Sequence, residues 1–111
     1  MFFRKCDLSH LCYPEEYLHY IKGMVQDTLP NPELLPKEPI AILRLDTDWY
    51  ESSKIELDKL YPLVTKNGVV ILDDYFHWAG QRQAVDEYLA LHNIPNSIQR
   101  INEHAGFFIK T

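Results

Sequence analysis

The chain has 111 residues, 46% hydrophobic and 24% charged, enough for one globular domain with one core spanning residues 1–111. Its net charge is −5 with no basic run, which argues against nucleic acid and against an anionic membrane as partners, and no apolar run approaches membrane-spanning length. Its two cysteines, Cys6 and Cys12, lack metal-type spacing and read as reduced thiols of a cytoplasmic protein, and Met1-Phe2-Phe3 followed at once by Arg4, Lys5 and Asp7 does not read as a signal peptide.

Residues 1–16 are poorly patterned. Phe2, Phe3 and Leu8 suit the tail of a helix that Pro14 ends. Residues 17–22 (YLHYIK) have strand composition, and Gly23 closes them. Residues 25–29 suit a helical turn before Pro30. Four of the seven prolines (Pro30, Pro32, Pro36, Pro39) mark the next stretch as a surface loop with a short helical piece at 33–35.

Two apolar runs follow, 40–45 (IAILRL) and 69–72 (VVIL). They barely alternate, which is how strands buried on both faces read. Between them Leu57, Leu60, Tyr61 and Val64 recur at helical spacing, a stripe that reads as core. Ser52 or Ser53 is the expected cap of that helix, and Asn67-Gly68 the turn into the second strand. Residues 75–79 (YFHWA) are aromatic and irregular. A second helix is expected over 81–92, with Ala84, Val85, Tyr88 and Leu91 facing the core and Arg82, Asp86 and Glu87 facing water. Residues 93–95 stop it. Segments 97–101 and 106–110 around the turn 102–105 read as a C-terminal antiparallel hairpin on the sheet edge.

The strand–helix–strand unit implies parallel strands, whose carboxyl ends share one edge of the sheet. Asp46 and Asp48 follow the first strand, Asp73 and Asp74 the second. Four carboxylates would therefore meet where open α/β sheets bind ligands. Crowded like charges resist desolvation, and a hard divalent cation (Mg²⁺, Ca²⁺ or Mn²⁺) relieves them. The plainer alternative is that these aspartates cap helices and make turns.

The ordered stretch RLDTDWYESSKIELDKLYPLVTKNGVVILDDY, followed by GQRQAVDEY and preceded by YIKGMVQDTLP, resembles the macrocin-type (TylF-like) sugar O-methyltransferases from about Tyr17 to the C-terminus. The resemblance implies a class I S-adenosylmethionine methyltransferase (Rossmann-like) α/β fold, dependent on Mg²⁺ and acting on a sugar or other vicinal hydroxyl acceptor. By motif position Asp46, Asp73 and Asp74 match metal ligands, Asp48 the acid proposed as general base in some relatives, and Gln26 a residue that contacts adenine in catechol-type enzymes. Trp49 stands where relatives often carry a small aliphatic residue. The four glycines, at 23, 68, 80 and 106, form no G-x-G cofactor loop. The expectation is a C-terminal half lacking the first two strands of the fold, with bare strand edges open to homo-oligomer pairing.

Around the acids, Tyr50, Tyr75 and Trp78 are candidate walls of the acceptor pocket, with packing as the plainer reading. His77 reads as a loop histidine ahead of a base or acceptor contact, and Arg82 as a local salt-bridge partner. Two further functions compete with methyl transfer: a non-catalytic or oligomerising fragment, and a DxD metal-dependent glycosyltransferase fragment in which LDDY would have no role.

Overall fold

The structure, a computed structural model, describes residues 15–111. The helix tail expected around Phe2, Phe3 and Leu8, and the thiols Cys6 and Cys12, lie outside the described residues. The described chain opens with a 3-10 turn at Glu15–Tyr17. It continues through a single α-helical turn, α1 (Val25–Thr28), and a second 3-10 turn at Pro32–Leu34. Then come β1 (Ile40–Leu45), α2 (Tyr50–Leu60), a 3-10 turn at Tyr61–Leu63, β2 (Val64–Leu72), α3 (Ala79–Leu91), β3 (Gln99–Arg100) and β4 (Gly106–Ile109). The sheet order is β1-β2-β4-β3, with β1 and β2 parallel and β4 antiparallel to both its neighbours. The mixed α/β class, the parallel pair and the C-terminal hairpin all match the reading of the sequence.

One face of the sheet carries the core. In register across it lie Leu43 beside Val70 beside Phe108, and Leu45 beside Leu72. All five are buried. Helices α2 and α3 cover this face and pack on each other, contributing Leu57, Leu60, Val85, Tyr88 and Leu89 to the core. Tyr61 closes the layer, its ring 5.3 Å from Tyr88 in a T-shaped contact. Full burial of each such side chain stabilises by about 1.5–3 kcal/mol.

Four expectations give way. Residues 17–22 form no strand: Tyr17 and Tyr20 are exposed, because β composition makes a strand only where a neighbour offers hydrogen bonds. β1 is not buried on both faces, since Ile42 is 64% exposed and Arg44 is exposed. A run apolar on both sides hides its alternation from sequence, and β1 is an edge strand whose second face no described helix covers. Ser52 and Ser53 lie inside α2, and Trp49 occupies the cap position without a side-chain cap bond. Leu91 is 77% exposed, and Leu89 fills the core position instead.

The second strand also starts earlier than expected. Asn67-Gly68 is a bulge inside β2 rather than a turn before it: Ile40 faces Val64, yet Ile42 faces Val69. Asn67 takes φ 69° there, the left-handed region asparagine tolerates, and its N–H donates to the Lys110 carbonyl at 2.7 Å. A Cβ on Gly68 would stand 2.8 Å from the Thr65 carbonyl oxygen, so only glycine fits the bulge.

Candidate active site

The carboxyl ends of β1 and β2 form one rim. The parallel ladder runs one step past the strands, with Asp73 N–H donating to the Leu45 carbonyl at 3.1 Å. That bond fixes the first acid of the second pair beside the chain leading to the first pair. Asp46 and Asp73 come close enough to shift one another's ionisation, and so do Asp48 and Asp74. All four acids singled out in the sequence are therefore brought together.

Their electrostatics follow from that crowding. Burial pushes the Asp74 carboxyl up to about 6, helped by its hydrogen bond to Asp48 and by the other carboxylates. Asp46 is raised, by loss of water at the rim and then by its hydrogen bond with Asp73. Asp73 goes the other way because Arg44 holds it in a two-pronged grip, Nε to Oδ1 at 3.0 Å and Nη2 to Oδ2 at 2.6 Å. The same Nη2 stands 3.7 Å from Asp46 Oδ2. Helices α2 and α3 both begin at this rim, and their amino-terminal dipoles favour negative charge there.

Gln81 was passed over in the sequence, although it locks the rim together. It is wholly buried, and its Oε1 accepts from Asp74 N–H at 2.9 Å. Its Nε2 donates to the carbonyls of Thr47 at 2.9 Å and Leu45 at 3.3 Å. One side chain on α3 thus ties the loop of the first acid pair to that of the second. Gly80 permits this approach: a Cβ there would sit 2.9 Å from Tyr50 N and 3.3 Å from the Asp48 carbonyl oxygen. The sequence signal was the G-Q pair at a helix start.

Glu56 was also missed. It is buried on α2 and accepts a short hydrogen bond from the Thr47 hydroxyl through Oε1, while Oε2 has no partner. Burial pushes its carboxyl up to about 7.

The remaining candidates divide. Tyr75 is buried, donates to Asp86 at 2.6 Å and is pushed up to about 12, mainly by burial, so it packs α3 rather than walling a pocket. Tyr50 donates to Glu87 at 2.5 Å. Trp49 and Trp78 are 71% and 47% exposed beside the acids. The exposed His77 ring stacks edge-on against Trp78 and His104. Arg82 pairs with Asp86 at 3.7 Å and lies over the Tyr75 ring, the local role expected of it. Gln26 sits on α1, which packs against α2; its Oε1 is buried without a partner and none of the rim's described hydrogen bonds includes it. An open cleft between residues 36–39 and 62–65 lies at the opposite ends of β1 and β2, away from this chemistry.

The solved structures on which the chain superposes are O-methyltransferases. The O-methyltransferase NovP superposes with TM-score 0.74 at 38% identity, over 80% of this chain and 36% of NovP. CalS11, a TDP-rhamnose 3'-O-methyltransferase of calicheamicin biosynthesis, superposes with TM-score 0.62 at 26% identity over 80% of this chain and 39% of its own. The macrocin O-methyltransferase (TylF) family model matches residues 3–110, and the chain belongs to that family. Among curated relatives, demethyldecarbamoylnovobiocin O-methyltransferase of Streptomyces niveus is 36% identical over 109 residues, 98% of this chain and 38% of the relative. Mycinamicin III 3''-O-methyltransferase of Micromonospora griseorubida is 32% identical over 94 residues, 85% of this chain and 35% of the relative. The chain thus spans little more than a third of the length of the relatives it matches.

Proposed function

We propose that this chain is a metal- and acceptor-binding C-terminal part of an S-adenosylmethionine- and Mg²⁺-dependent O-methyltransferase acting on a sugar or other vicinal diol. The observation that carries this reading is the convergence of Asp46, Asp48, Asp73 and Asp74 at the shared carboxyl ends of two parallel strands. The donor set fits a hard divalent cation, being all oxygen and strongly anionic. Among the described residues no three His, Cys, Asp or Glu side chains surround a common point as they stand, and Arg44 grips Asp73.

Asp46, Asp73 and Asp74 would hold the ion, which when bound supplies Lewis acidity to a chelated acceptor hydroxyl. Asp48 takes the hydroxyl proton as general base. Trp49 and Trp78 flank the rim and exclude water from one side of the acceptor. The Gln81 amide keeps the two acid pairs in register, and such positioning accounts for a large share of the rate in transfer reactions. The buried, unpartnered Oε1 of Gln26 suits the exocyclic amine of an adenine, and it is the one cofactor contact proposed for this chain.

Isothermal titration of the chain with Mg²⁺ and Mn²⁺ tests this reading. Weak binding is expected, lost in Asp46→Ala, with no detectable S-adenosylmethionine binding to the chain alone. Ion binding unaffected by Asp46→Ala would sink the metal assignment.

One observation favours a second reading, an oligomerising module. Ile42 and Ile109, 64% and 43% exposed, flank Val69 in register on the uncovered sheet face. Analytical ultracentrifugation decides it: concentration-dependent dimers favour this reading, and a monomer across the concentration range removes it.

A further inference from the structure

We propose that Arg44 is a built-in counter-cation of the acidic rim, which a divalent ion must displace from Asp73 in order to bind. This rests on the reading of Asp46, Asp73 and Asp74 as ion ligands.

Both oxygens of Asp73 are already engaged, Oδ1 by Nε at 3.0 Å and Oδ2 by Nη2 at 2.6 Å. The Asp46 carboxylate faces the same nitrogen at 3.7 Å. Two of the three ligands therefore face a guanidinium, Asp73 through both oxygens and Asp46 at 3.7 Å. A hard cation needs those lone pairs at bond distances of about 2.0–2.6 Å, and a guanidinium forked onto the same oxygens excludes it sterically and by like charge.

The position of Arg44 makes displacement feasible. It lies on the uncovered face of β1, its side chain is 60% exposed, and its described hydrogen bonds all go to Asp73. Swinging into solvent leaves no buried donor behind, so the exchange costs one ion pair, exposed on its Arg44 side, and no apolar core contact. Meanwhile the guanidinium compensates part of the charge of four crowded acids, which would otherwise repel while no ion is bound. A strand residue two positions before the first acid is also well placed: the Cβ of Arg44 projects to the same face as that of Asp46.

The test is Mn²⁺ binding followed by electron paramagnetic resonance for the unaltered chain, Arg44→Gln and Arg44→Lys. Arg44→Gln is expected to bind about tenfold more tightly, the loss of one exposed pair together with one adjacent like charge, and Arg44→Lys to fall between. Nitrogen-15 spectra of the unaltered chain give an independent readout that needs no variant to fold. The Arg44 Nε–H signal is expected to shift with the same midpoint as Mg²⁺ binding. Unchanged or weaker affinity in Arg44→Gln overturns the proposal, because Arg44 would then be arranging Asp73 for the ion. A fixed Nε–H signal while Mg²⁺ binds overturns it too. If neither the unaltered chain nor any variant binds an ion, the metal reading itself falls, an outcome distinct from binding that ignores Arg44.

Discussion

The side-chain amide of Gln81 donates to the Thr47 carbonyl across 2.9 Å, so a residue of α3 holds the loop between Asp46 and Asp48 in place. The same amide receives Asp74 N–H, and none of its polar atoms meets water. Gln81→Leu keeps the volume but strands buried backbone groups on both loops. Each such orphan costs about 1–3 kcal/mol, so a loss of roughly 2–4 kcal/mol is expected in urea denaturation. Ion affinity should fall in the same variant, since the two acid pairs lose their common tie.

Gly80 carries a related prediction. A methyl group there meets backbone rather than a flexible side chain, 2.9 Å from Tyr50 N. Neither α3 nor the loop can yield without moving the other. Gly80→Ala should gain helix propensity of about 1 kcal/mol yet be destabilised overall, by about 1–3 kcal/mol of overpacking. Thermal unfolding of the two proteins checks the sign. An increase in Tm would show that the helix start has room to shift.

These two residues also show what the sequence conceals. The buried Leu57 and Leu60 of α2 were legible because burial imposes a helical period that residue types report, and the strand 40–45 and the terminal hairpin from their apolar runs and turn, whereas Val64, read as the end of the same stripe, opens β2. The acids were legible because parallel strands must share an edge. Gln81 and Gly80 were not, because their roles depend on where the start of α3 lands in space, and no periodicity reports that. Residues 17–22 and the second face of β1 misled for the opposite reason. Apolar and aromatic residues state a preference for burial without saying whether a neighbour is present to provide it.

Asp48 and Asp74 offer a titration test. Asp74 is raised to about 6 by burial and then by Asp48, through a hydrogen bond and like charge. Asp48→Asn removes the charge and should lower the Asp74 carboxyl, while burial keeps it above the ordinary carboxylate range. Carbon-13 detected carboxyl titrations of both proteins measure it directly. An Asp74 midpoint that stays near 6 in Asp48→Asn would assign the shift to burial and to the charges of Asp46 and Asp73.

Glu56 should make the chain's stability fall as pH rises from about 4.5 to about 7. Its carboxyl titrates near 7 in the folded chain, pushed up by burial, against about 4.5 in the free side chain. A raised acid binds its proton more tightly in the folded state than in the unfolded one. The folded chain therefore holds a proton between pH 4.5 and 7 that the unfolded chain has lost, and stability declines with pH across that window. The full penalty applies above about 7 and amounts to about 3 kcal/mol at most, from 1.36 kcal/mol per unit of pKa. Glu56→Gln keeps an acceptor for the Thr47 hydroxyl and carries no charge, so it should flatten the profile, be more stable than the parent at pH 8, and differ little from it at pH 4.5. Urea midpoints of both proteins at pH 4.5, 6, 7 and 8 supply the comparison. A parent whose stability instead rises between pH 5 and 7 would place Glu56 ionised in the fold, held by a cationic partner rather than buried neutral beneath the loop.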